Sequence, residues 1–334
     1  MTNQKKVKFA VVGCGVISDV HFKGILETEN AELSAVCDHN KDKADRIAKK
    51  YNVPAYYSLD ELLKIDEIDV VNICTPSSIH PEQTILSAKA GKHVIVEKPM
   101  AIHLDDIDPM INTCKENNVL LTTVFPRRMS PQANYVRELI KQEVLGKLSL
   151  CSAYAKIHRS QEYYDSAGWR GTWEYDGGGA MMNQGIHTVD LLQWLVGPVA
   201  SLYGKSKCIL RNIEVEDTVS SLLEFKNGAM GVIEITTTAL LDQPQRIEIH
   251  GEKGSVILTG DEITSLIIDG KNVELPKFDP FEVLPDGHRM LIQDFANAVQ
   301  NRREPTVPAE DGRHSLEIIL GTYESSTKKK EIIL

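Results

Sequence analysis

Two segments of the sequence carry side chains suited to acid–base chemistry on a hydroxyl group. Glu97-Lys98-Pro99 follows the apolar run His93 to Val96, at a strand end where packing rarely needs a lysine. An ammonium there can hydrogen-bond a substrate hydroxyl and stabilise alkoxide character as a hydride leaves. The alternative interpretation is a solvated Glu–Lys strand end.

A second segment follows Gly177-Gly178-Gly179 and carries Asn183, His187 and Asp190 at i, i+4 and i+7. Helical spacing predicts that these three side chains share one face. Histidine titrates near neutral pH, so His187 is a candidate base for the hydroxyl proton, with Asn183 orienting the substrate or the imidazole. The competing interpretation is a packed helix histidine without chemistry.

A glycine-rich turn predicts the hydride acceptor. The apolar run Val7 to Val12 leads into GCGVIS at 13 to 18 and then into a helix, which is the context of the GxGxxG dinucleotide fingerprint, with Ser18 as the third small residue. Gly13 allows the tight turn, and Gly15 lets the backbone approach a pyrophosphate at the helix N-terminus. The predicted cofactor-binding residues of the turn are Gly13, Gly15, Val16 and Ile17.

Asp38 ends the second apolar strand, about 20 residues beyond the glycines, where an acidic side chain accepts hydrogen bonds from the adenosine ribose. A carboxylate repels a 2′-phosphate, so the sequence predicts NAD as the cofactor. Lys41 and Lys43 nearby keep NADP as an alternative, and a plain strand-end turn is the other interpretation of Asp38.

Cys74-Thr75-Pro76-Ser77 closes a further apolar strand and should lie at the carboxyl edge of the sheet, the usual ligand position in open α/β folds. The alternative is an ordinary loop before a helix. The further residues predicted to contact the cofactor are Cys74, Thr75, Pro76, Ser77, His80, Glu97 and Lys98.

The elements that position these residues change character along the chain. The first third alternates short apolar runs with amphipathic stretches, which predicts an α/β Rossmann domain with a doubly wound parallel sheet over 1–124. Ser58 and Glu61 form a capping-box pattern there. From 125 to 334 successive strand-like runs with hairpin signals at Asn227-Gly228 and Asp269-Gly270 predict an α+β domain. The C-terminal helices, His288 to Gln300 and Glu310 to Ser325, have room to pack on either domain.

Composition excludes several classes of partner. With 334 residues, 42% of them hydrophobic, the chain suits two domains, and 37 basic against 47 acidic side chains give a net charge of −10 that disfavours nucleic acid and anionic membranes. The six cysteines form no CxxC pair, so no metal site is predicted. A polar Met1 to Lys8 and the lack of an apolar run of ~18 residues predict a cytoplasmic protein.

The chain resembles the Gfo/Idh/MocA family, the relatives of glucose–fructose oxidoreductase and inositol dehydrogenase, over nearly its whole length. The motifs that carry the resemblance are GCGVIS at 13–18, CTPSSIH at 74–80, EKP at 97–99 and GGGAMMNQGIHTVDLLQW at 177–194. The resemblance implies that Lys98 and His187 are catalytic. Asn183 stands where many members carry aspartate, which puts a two-residue proton relay in doubt and leaves His187 as the base.

The resemblance also implies a second domain built on an open, mostly antiparallel sheet that is often used for oligomerisation. The chain is therefore expected to form a homo-oligomer, a dimer or a tetramer, through that sheet.

Aromatic and arginine side chains cluster in the sequence around the expected substrate pocket and suit a polyol ring that bears a carboxylate or phosphate. An exposed folded loop is the alternative. Besides Lys98, Asn183 and His187, the predicted substrate-binding residues are Arg127, Arg159, Tyr163, Trp169 and Arg170.

The segments YYDSAGWRGTW at 163–173 and RNIEVEDT at 211–218 are similar to the family branch that oxidises the 3-hydroxyl of UDP-N-acetylglucosaminuronic acid. Three other functions remain open: an inositol or free-sugar dehydrogenase, an aldose–aldose oxidoreductase that recycles a tightly held cofactor, and a non-catalytic NAD-binding sensor. Retention of both Lys98 and His187 disfavours the sensor.

Overall fold

The computed structural model describes residues 5–334, so the first four residues of the predicted polar N-terminal segment lie outside it. Up to residue 126 the chain alternates strands and helices. The elements are β1 Val7–Val12, α1 Ser18–Leu26, β2 Ala31–Cys37, α2 Lys41–Tyr51, β3 Ala55–Tyr56, α3 Leu59–Leu62, β4 Val70–Ile73, α4 His80–Lys89, β5 His93–Val96, α5 Ile107–Glu116 and β6 Leu121–Thr123.

The six strands form one parallel sheet in the order β3-β2-β1-β4-β5-β6. Its central strands are apolar and buried, as expected when helices cover both faces. The strand order reverses between β1 and β4, and ligands of open α/β folds bind outside the carboxyl ends of the strands at such a point. The predicted doubly wound Rossmann fold is confirmed.

Helix boundaries follow local capping chemistry in one case and not in another. Asn40 caps α2 by accepting the Lys43 amide at 3.1 Å. The capping box predicted at Ser58 is wrong, because α3 has only four residues and the Ser58 side chain makes no capping hydrogen bond. So short a helix depends on its tertiary contacts more than on its cap.

The remaining chain begins with helices and then runs through strands. The elements are α6 Pro131–Lys141, β7 Leu148–Lys156, α7 Gln161–Asp165, a π-helical turn Ala180–Gly185, α8 Ile186–Val196, β8 Val199–Lys207, β9 Thr218–Phe225, β10 Met230–Thr236, β11 Arg246–Gly251, β12 Gly254–Thr259, β13 Glu262–Ile268, β14 Lys271–Asn272, a π-helical turn Val283–Gly287, α9 His288–Asn301, α10 Ala309–Lys328 and β15 Ile332–Ile333. None of the helices within 5–334 has the length and apolarity to span a bilayer.

Internal contacts divide the chain into two compact units. The first unit is Met1–Pro126 with Glu282–Arg313, and the second unit is Arg127–Phe281 with His314–Leu334. Helix α9 therefore belongs to the first unit, where it packs on α1.

The second unit is built on a nine-stranded sheet in the order β14-β13-β12-β11-β7-β10-β9-β8-β15. Hairpins at Asn227-Gly228 and Asp269-Gly270 join β9 to β10 and β13 to β14 in antiparallel pairs, as predicted. The β7–β10 pair is parallel, because these strands are separated by α8 and two further strands rather than by a hairpin. The mostly antiparallel second sheet is thus confirmed, and α8 packs on β7 and β11.

A buried ion pair anchors α8 in the second unit. The Arg128 guanidinium donates from Nε to Asp190 Oδ2 at 2.8 Å and from Nη2 to Asp190 Oδ1 at 2.6 Å, and both side chains are 1% exposed. The guanidinium groups of Arg128 and Arg137 also lie over the Trp194 ring. Two parallel hydrogen bonds fix the geometry of the pair.

Removing one partner of this pair should destabilise the second unit. Asp190→Ala leaves a buried guanidinium without its carboxylate, and we expect a loss of about 3–5 kcal/mol in the free energy of unfolding. Urea denaturation followed by tryptophan fluorescence measures the change. The Arg128→Met/Asp190→Leu double variant, which removes both charges, should recover most of the loss, and an Asp190→Ala midpoint equal to the wild-type midpoint would contradict the assignment.

Candidate functional site

The glycine turn after β1 combines one glycine required by the fold with one that the fold does not require. Gly13 has a φ of +94°, and a Cβ there would lie 2.6 Å from the Cys74 carbonyl oxygen. A Cβ on Gly15 would meet no protein atom within 4 Å. Open space over Gly15 fits the close approach of a pyrophosphate to the backbone.

No side chain caps the first amides of α1, next to this turn. Ile17 occupies the N-cap position and provides no side-chain hydrogen bond. Val16 is 87% exposed, and the Ser18 hydroxyl donates back to the Gly15 carbonyl at 2.6 Å. The amides that begin α1 can therefore receive a phosphate.

Asp38 braces the glycine turn. Its Oδ2 accepts the Cys14 amide and its Oδ1 accepts the Asn40 amide, both at 2.8 Å. A carboxylate has about four lone-pair sites, so these two bonds leave capacity for ribose hydroxyls. The predicted ribose contact of Asp38 stays a prediction.

The loop after β4 exposes the residues that sequence analysis assigned to the cofactor. Thr75, Pro76 and Ser77 are half-exposed, whereas Cys74 is buried and burial raises the pKa of its thiol well above the ordinary value. The Thr75 hydroxyl donates to Gln83 at 2.7 Å.

His80 links this loop to the loop after β5. Its Nδ1 lies 2.9 Å from the Pro99 carbonyl oxygen and its Nε2 lies 2.9 Å from the Thr75 carbonyl oxygen. Burial lowers the pKa of His80, and the two carbonyl contacts oppose that shift. With both nitrogens engaged and 1% exposure, His80 holds two loops together, and its predicted cofactor contact stays a prediction.

The Glu97 carboxylate points into the first unit. Its Oε1 lies 2.8 Å from His21 Nε2 and 3.6 Å from His288 Nε2, and its Oε2 accepts the Lys98 amide at 3.1 Å. Burial alone would raise the pKa of Glu97, but the contacts with the two histidines hold it well below its usual range. Glu97 thus fixes the backbone of Lys98, whose own side chain is half-buried.

His21, Glu97 and His288 are the group within residues 5–334 whose ligand atoms lie close enough together to hold a metal ion. Asn72 Nδ2 lies 3.1 Å from His21 Nδ1 and Glu97 Oε1 faces Nε2, so both nitrogens of His21 already have hydrogen-bonding partners. The prediction of no metal site stays a prediction.

In the second unit, exposure singles out two residues of the helical stretch 180–196. Asn183 and His187 are half-exposed, and every other residue of that stretch is buried. Asp190, about one turn after His187 on α8, is buried against Arg128, whereas Asn183 lies in the π-helical turn before α8. The shared face predicted for these three side chains stays a prediction.

An arginine and aromatic cluster stands beside this stretch. The Arg170 guanidinium lies 4.3 Å from the Tyr163 ring centroid and 4.8 Å from that of Trp169, and Arg159 lies 5.3 Å from Tyr163. Gln184 Nε2 donates to the Tyr163 hydroxyl at 3.3 Å. The fold thus brings four of the predicted substrate-binding residues together.

Asp176, which sequence analysis did not single out, joins the cluster to Asn183. Its Oδ1 accepts from Asn183 Nδ2 at 3.3 Å and its Oδ2 accepts the Gly171 amide at 2.7 Å. Asp176 is 6% exposed. Its position directly before the glycine run was the available signal, but spacing alone does not indicate the contact.

Arg127, predicted to bind substrate, donates hydrogen bonds to three other residues of the second unit. It donates from Nε to Asp261 at 3.1 Å, from Nη1 to Gln245 at 2.5 Å and from Nη2 to the Gly260 carbonyl at 2.8 Å. Burial lowers its pKa, and Asp261 opposes that shift. The geometry favours a structural role for this guanidinium, and its substrate contact stays a prediction.

Two family models match most of the chain. The family described as "Oxidoreductase family, NAD-binding Rossmann fold" matches residues 7–125, and the GFO/IDH/MocA C-terminal domain matches residues 133–257. Myo-inositol 2-dehydrogenase of Thermotoga maritima is 27% identical over 98% of both chains. D-glucoside 3-dehydrogenase of Escherichia coli is 26% identical over 96% of this chain and 95% of its own.

Solved structures extend the similarity to the whole chain. The WlbA dehydrogenase of Bordetella pertussis, in complex with NADH and UDP-GlcNAcA, superposes with a TM-score of 0.92 at 33% identity and covers 100% of this chain and 99% of its own. Levoglucosan dehydrogenase with NADH has a TM-score of 0.90 at 20% identity over 98% and 99%, which shows the shared fold. The chain therefore belongs to the GFO/IDH/MocA family of oxidoreductases, with residues 7–125 as its NAD-binding Rossmann fold.

Proposed function

We propose that this oxidoreductase uses NAD to oxidise a secondary hydroxyl of a sugar-acid substrate to a ketone, with the 3-hydroxyl of UDP-N-acetylglucosaminuronic acid as the best candidate. The observation that carries the proposal is the half-exposure of Asn183 and His187 on a stretch that is otherwise buried from 180 to 196. A few polar side chains that stay accessible among buried neighbours can orient a ligand.

The chain's own residues have separate tasks in this reaction. The glycine turn and the α1 amides would hold the pyrophosphate, and Asp38 would hold the adenosine ribose. The chemistry that bound NAD would supply is a hydride acceptor for the carbon that bears the hydroxyl. Lys98 donates a hydrogen bond to the substrate oxygen, and His187 accepts the hydroxyl proton. Asn183 cannot take that proton and orients the substrate.

The arginine and aromatic cluster supports a substrate with an anionic, polar ring. Arg170 Nε and Gln184 Oε1 are buried and make no hydrogen bond to any residue in the described range. A buried donor and a buried acceptor without partners are costly, and substrate carboxylate and hydroxyl groups would satisfy them. The Arg170 guanidinium is already held by stacking on Tyr163 and Trp169.

The similarity to the WlbA dehydrogenase favours a UDP-linked sugar acid, and the full-length similarity to myo-inositol 2-dehydrogenase favours an inositol as the second candidate. NADH formation, followed by absorbance with UDP-sugar acids, inositols and free hexoses, separates them. Turnover confined to UDP-sugar acids supports the proposal, and turnover confined to inositols overturns the substrate assignment. NAD binding without turnover on any class would favour the sensor.

Substitution of the two glycines of the turn should have different effects on folding and on cofactor binding. Gly15→Ala should leave the thermal unfolding temperature near that of the wild type and raise the Kd for NAD, because only a ligand needs the space over that position. Gly13→Ala is the matched comparison and should lower the unfolding temperature, since its Cβ would press on the Cys74 carbonyl. Calorimetric titration with NAD gives the affinities. Unchanged NAD affinity in Gly15→Ala would argue against this turn as the pyrophosphate site.

The catalytic assignments make different predictions for the two side chains. Lys98→Ala should lower kcat by about 10²–10⁴-fold with NAD still bound. His187 must be neutral to accept a proton, so turnover should rise with pH as the base loses its proton, and His187→Ala should remove that ionisation from the pH profile of kcat/KM. Near-normal turnover of Lys98→Ala, or an unchanged profile of His187→Ala, would refute the corresponding role.

The open face of the second sheet is the proposed surface for homo-oligomerisation. Tyr203, Leu222, Met230 and Leu150 are 39%, 54%, 58% and 44% exposed. Strand register pairs Tyr203 with Leu222 and Met230 with Leu150, so these apolar side chains share a face at the middle of the sheet. An apolar patch of this kind on a sheet suits a second copy of the same chain.

Charge on that face should separate the copies. The Leu222→Glu/Met230→Glu double variant should reduce the mass measured by light scattering to that of one chain, because each copy would bury uncompensated carboxylates. Leu26→Glu is the control at an exposed leucine of the first unit and should leave the mass unchanged. A double variant with the wild-type mass would exclude this face, and a monomeric wild type would exclude the oligomer.

A further inference from the structure

Glu216 accepts the amide hydrogen bonds at the beginning of the helical stretch that carries Asn183 and His187. Gly179 N–H donates to Glu216 Oε2 at 2.8 Å, Ala180 N–H to the Glu216 main-chain oxygen at 2.9 Å, and Met181 N–H to Glu216 Oε1 at 2.9 Å. A helix start leaves about four such donors without helical partners. Glu216 satisfies three consecutive ones from 37 residues away in the sequence.

The glycine run before this stretch is shaped to Glu216 and its neighbour Tyr323. A Cβ on Gly179 would lie 1.8 Å from the Glu216 carbonyl oxygen, and one on Gly178 would lie 2.5 Å from the Tyr323 hydroxyl oxygen. Contact with these two residues therefore requires the glycines. Nothing larger fits while the three amide hydrogen bonds are kept.

The carboxylate form of Glu216 matches its surroundings. Besides the two amides, the Tyr323 hydroxyl donates to Oε1 at 2.8 Å, and Glu216 is 3% exposed. Burial raises the pKa of Glu216 to about 7, although these hydrogen bonds to the ionised form oppose the shift. All three groups donate to the ionised carboxylate, so an added proton would break one of these hydrogen bonds or require the Tyr323 hydroxyl to turn and accept.

The two tyrosines around Glu216 do not ionise near neutral pH. Burial raises the pKa of Tyr323 well above 10 and also raises that of Tyr164, so both phenols stay neutral there. The neighbouring Asp217 directs its carboxylate to the amides of residues 209–211.

We infer that Glu216 is a positioning residue for the oxidation: its carboxylate holds the start of this helical stretch so that Asn183 and His187 stand in a fixed relation to the substrate. Asn183 N–H bonds to the Gly179 carbonyl at 2.9 Å, so the capped residues connect directly to Asn183. His187 follows one turn later. The inference rests on the proposed function, because it assumes that these two residues act on the substrate.

The pH dependence of kcat/KM tests the inference in the full chain. If turnover needs both a neutral His187 and an ionised Glu216, the acid limb for the wild type should approach a slope of about two on a logarithmic plot. Glu216→Gln should reduce the slope to about one and lower kcat by about 10–100-fold, because a displaced catalytic group loses that much. The Kd for NAD, which the first unit binds, should not change.

Tyr323→Phe is the matched comparison within the same cluster. It removes one donor to the carboxylate and keeps the amide contacts, so the slope of about two should persist while the Glu216 ionisation moves to higher pH. Circular dichroism and thermal unfolding confirm that each variant is folded. If Glu216 had only a structural role, Glu216→Gln would lower stability without changing the slope of the acid limb.

Each outcome distinguishes this inference from the proposed function. A folded Glu216→Gln variant with wild-type kcat and slope overturns it. If that variant does not fold, a wild-type slope of one together with an unshifted Tyr323→Phe profile overturns it, and a shifted profile with slope two supports it. Wild-type protein that binds NAD and turns over no member of the substrate panel refutes the proposed function first, and the inference falls with it.

Discussion

A backbone amide that leaves regular structure in a water-poor region needs an acceptor, and this requirement shapes the candidate sites of both units. Asp38 accepts the Cys14 amide in the glycine turn, and Glu97 accepts the Lys98 amide after β5. In the second unit Asp176 accepts the Gly171 amide and Glu216 accepts those at 179 and 181. Buried carboxylates therefore fix the loops on which the chemistry depends.

Burying carboxylates is unfavourable unless hydrogen bonds or opposite charges compensate, and the chain meets this condition in two ways. Glu97 is compensated by two histidines, which hold its pKa low. Glu216 is held by two backbone amides and a phenol, and burial raises its pKa to about 7. The pKa of the first carboxyl group is thus lowered, whereas burial raises that of the second.

The sequence predicts the fold well because apolar runs and their alternation with helices are local signals. It does not predict the partners of the long-range contacts. Glu97 follows its strand as expected, but its hydrogen bond to His21 spans 76 residues, and no spacing rule indicates that the carboxylate faces inward. Asp190 pairs with Arg128, 62 residues earlier in the chain, and no spacing rule indicates that partner. Ser58 fails as a cap because α3 is so short.

The two glycine-rich segments that precede helices look alike in sequence and differ in physical role. At 13–18 one glycine is open to a ligand and the α1 start has no side-chain cap. At 177–179 a Cβ on Gly178 or Gly179 would clash with Tyr323 or Glu216, and the amides of Gly179, Ala180 and Met181 already have acceptors. A phosphate can bind a helix start only where the amides are available. The available amides support the first segment as the proposed pyrophosphate site, and the second segment matches its proposed task of positioning Asn183 and His187.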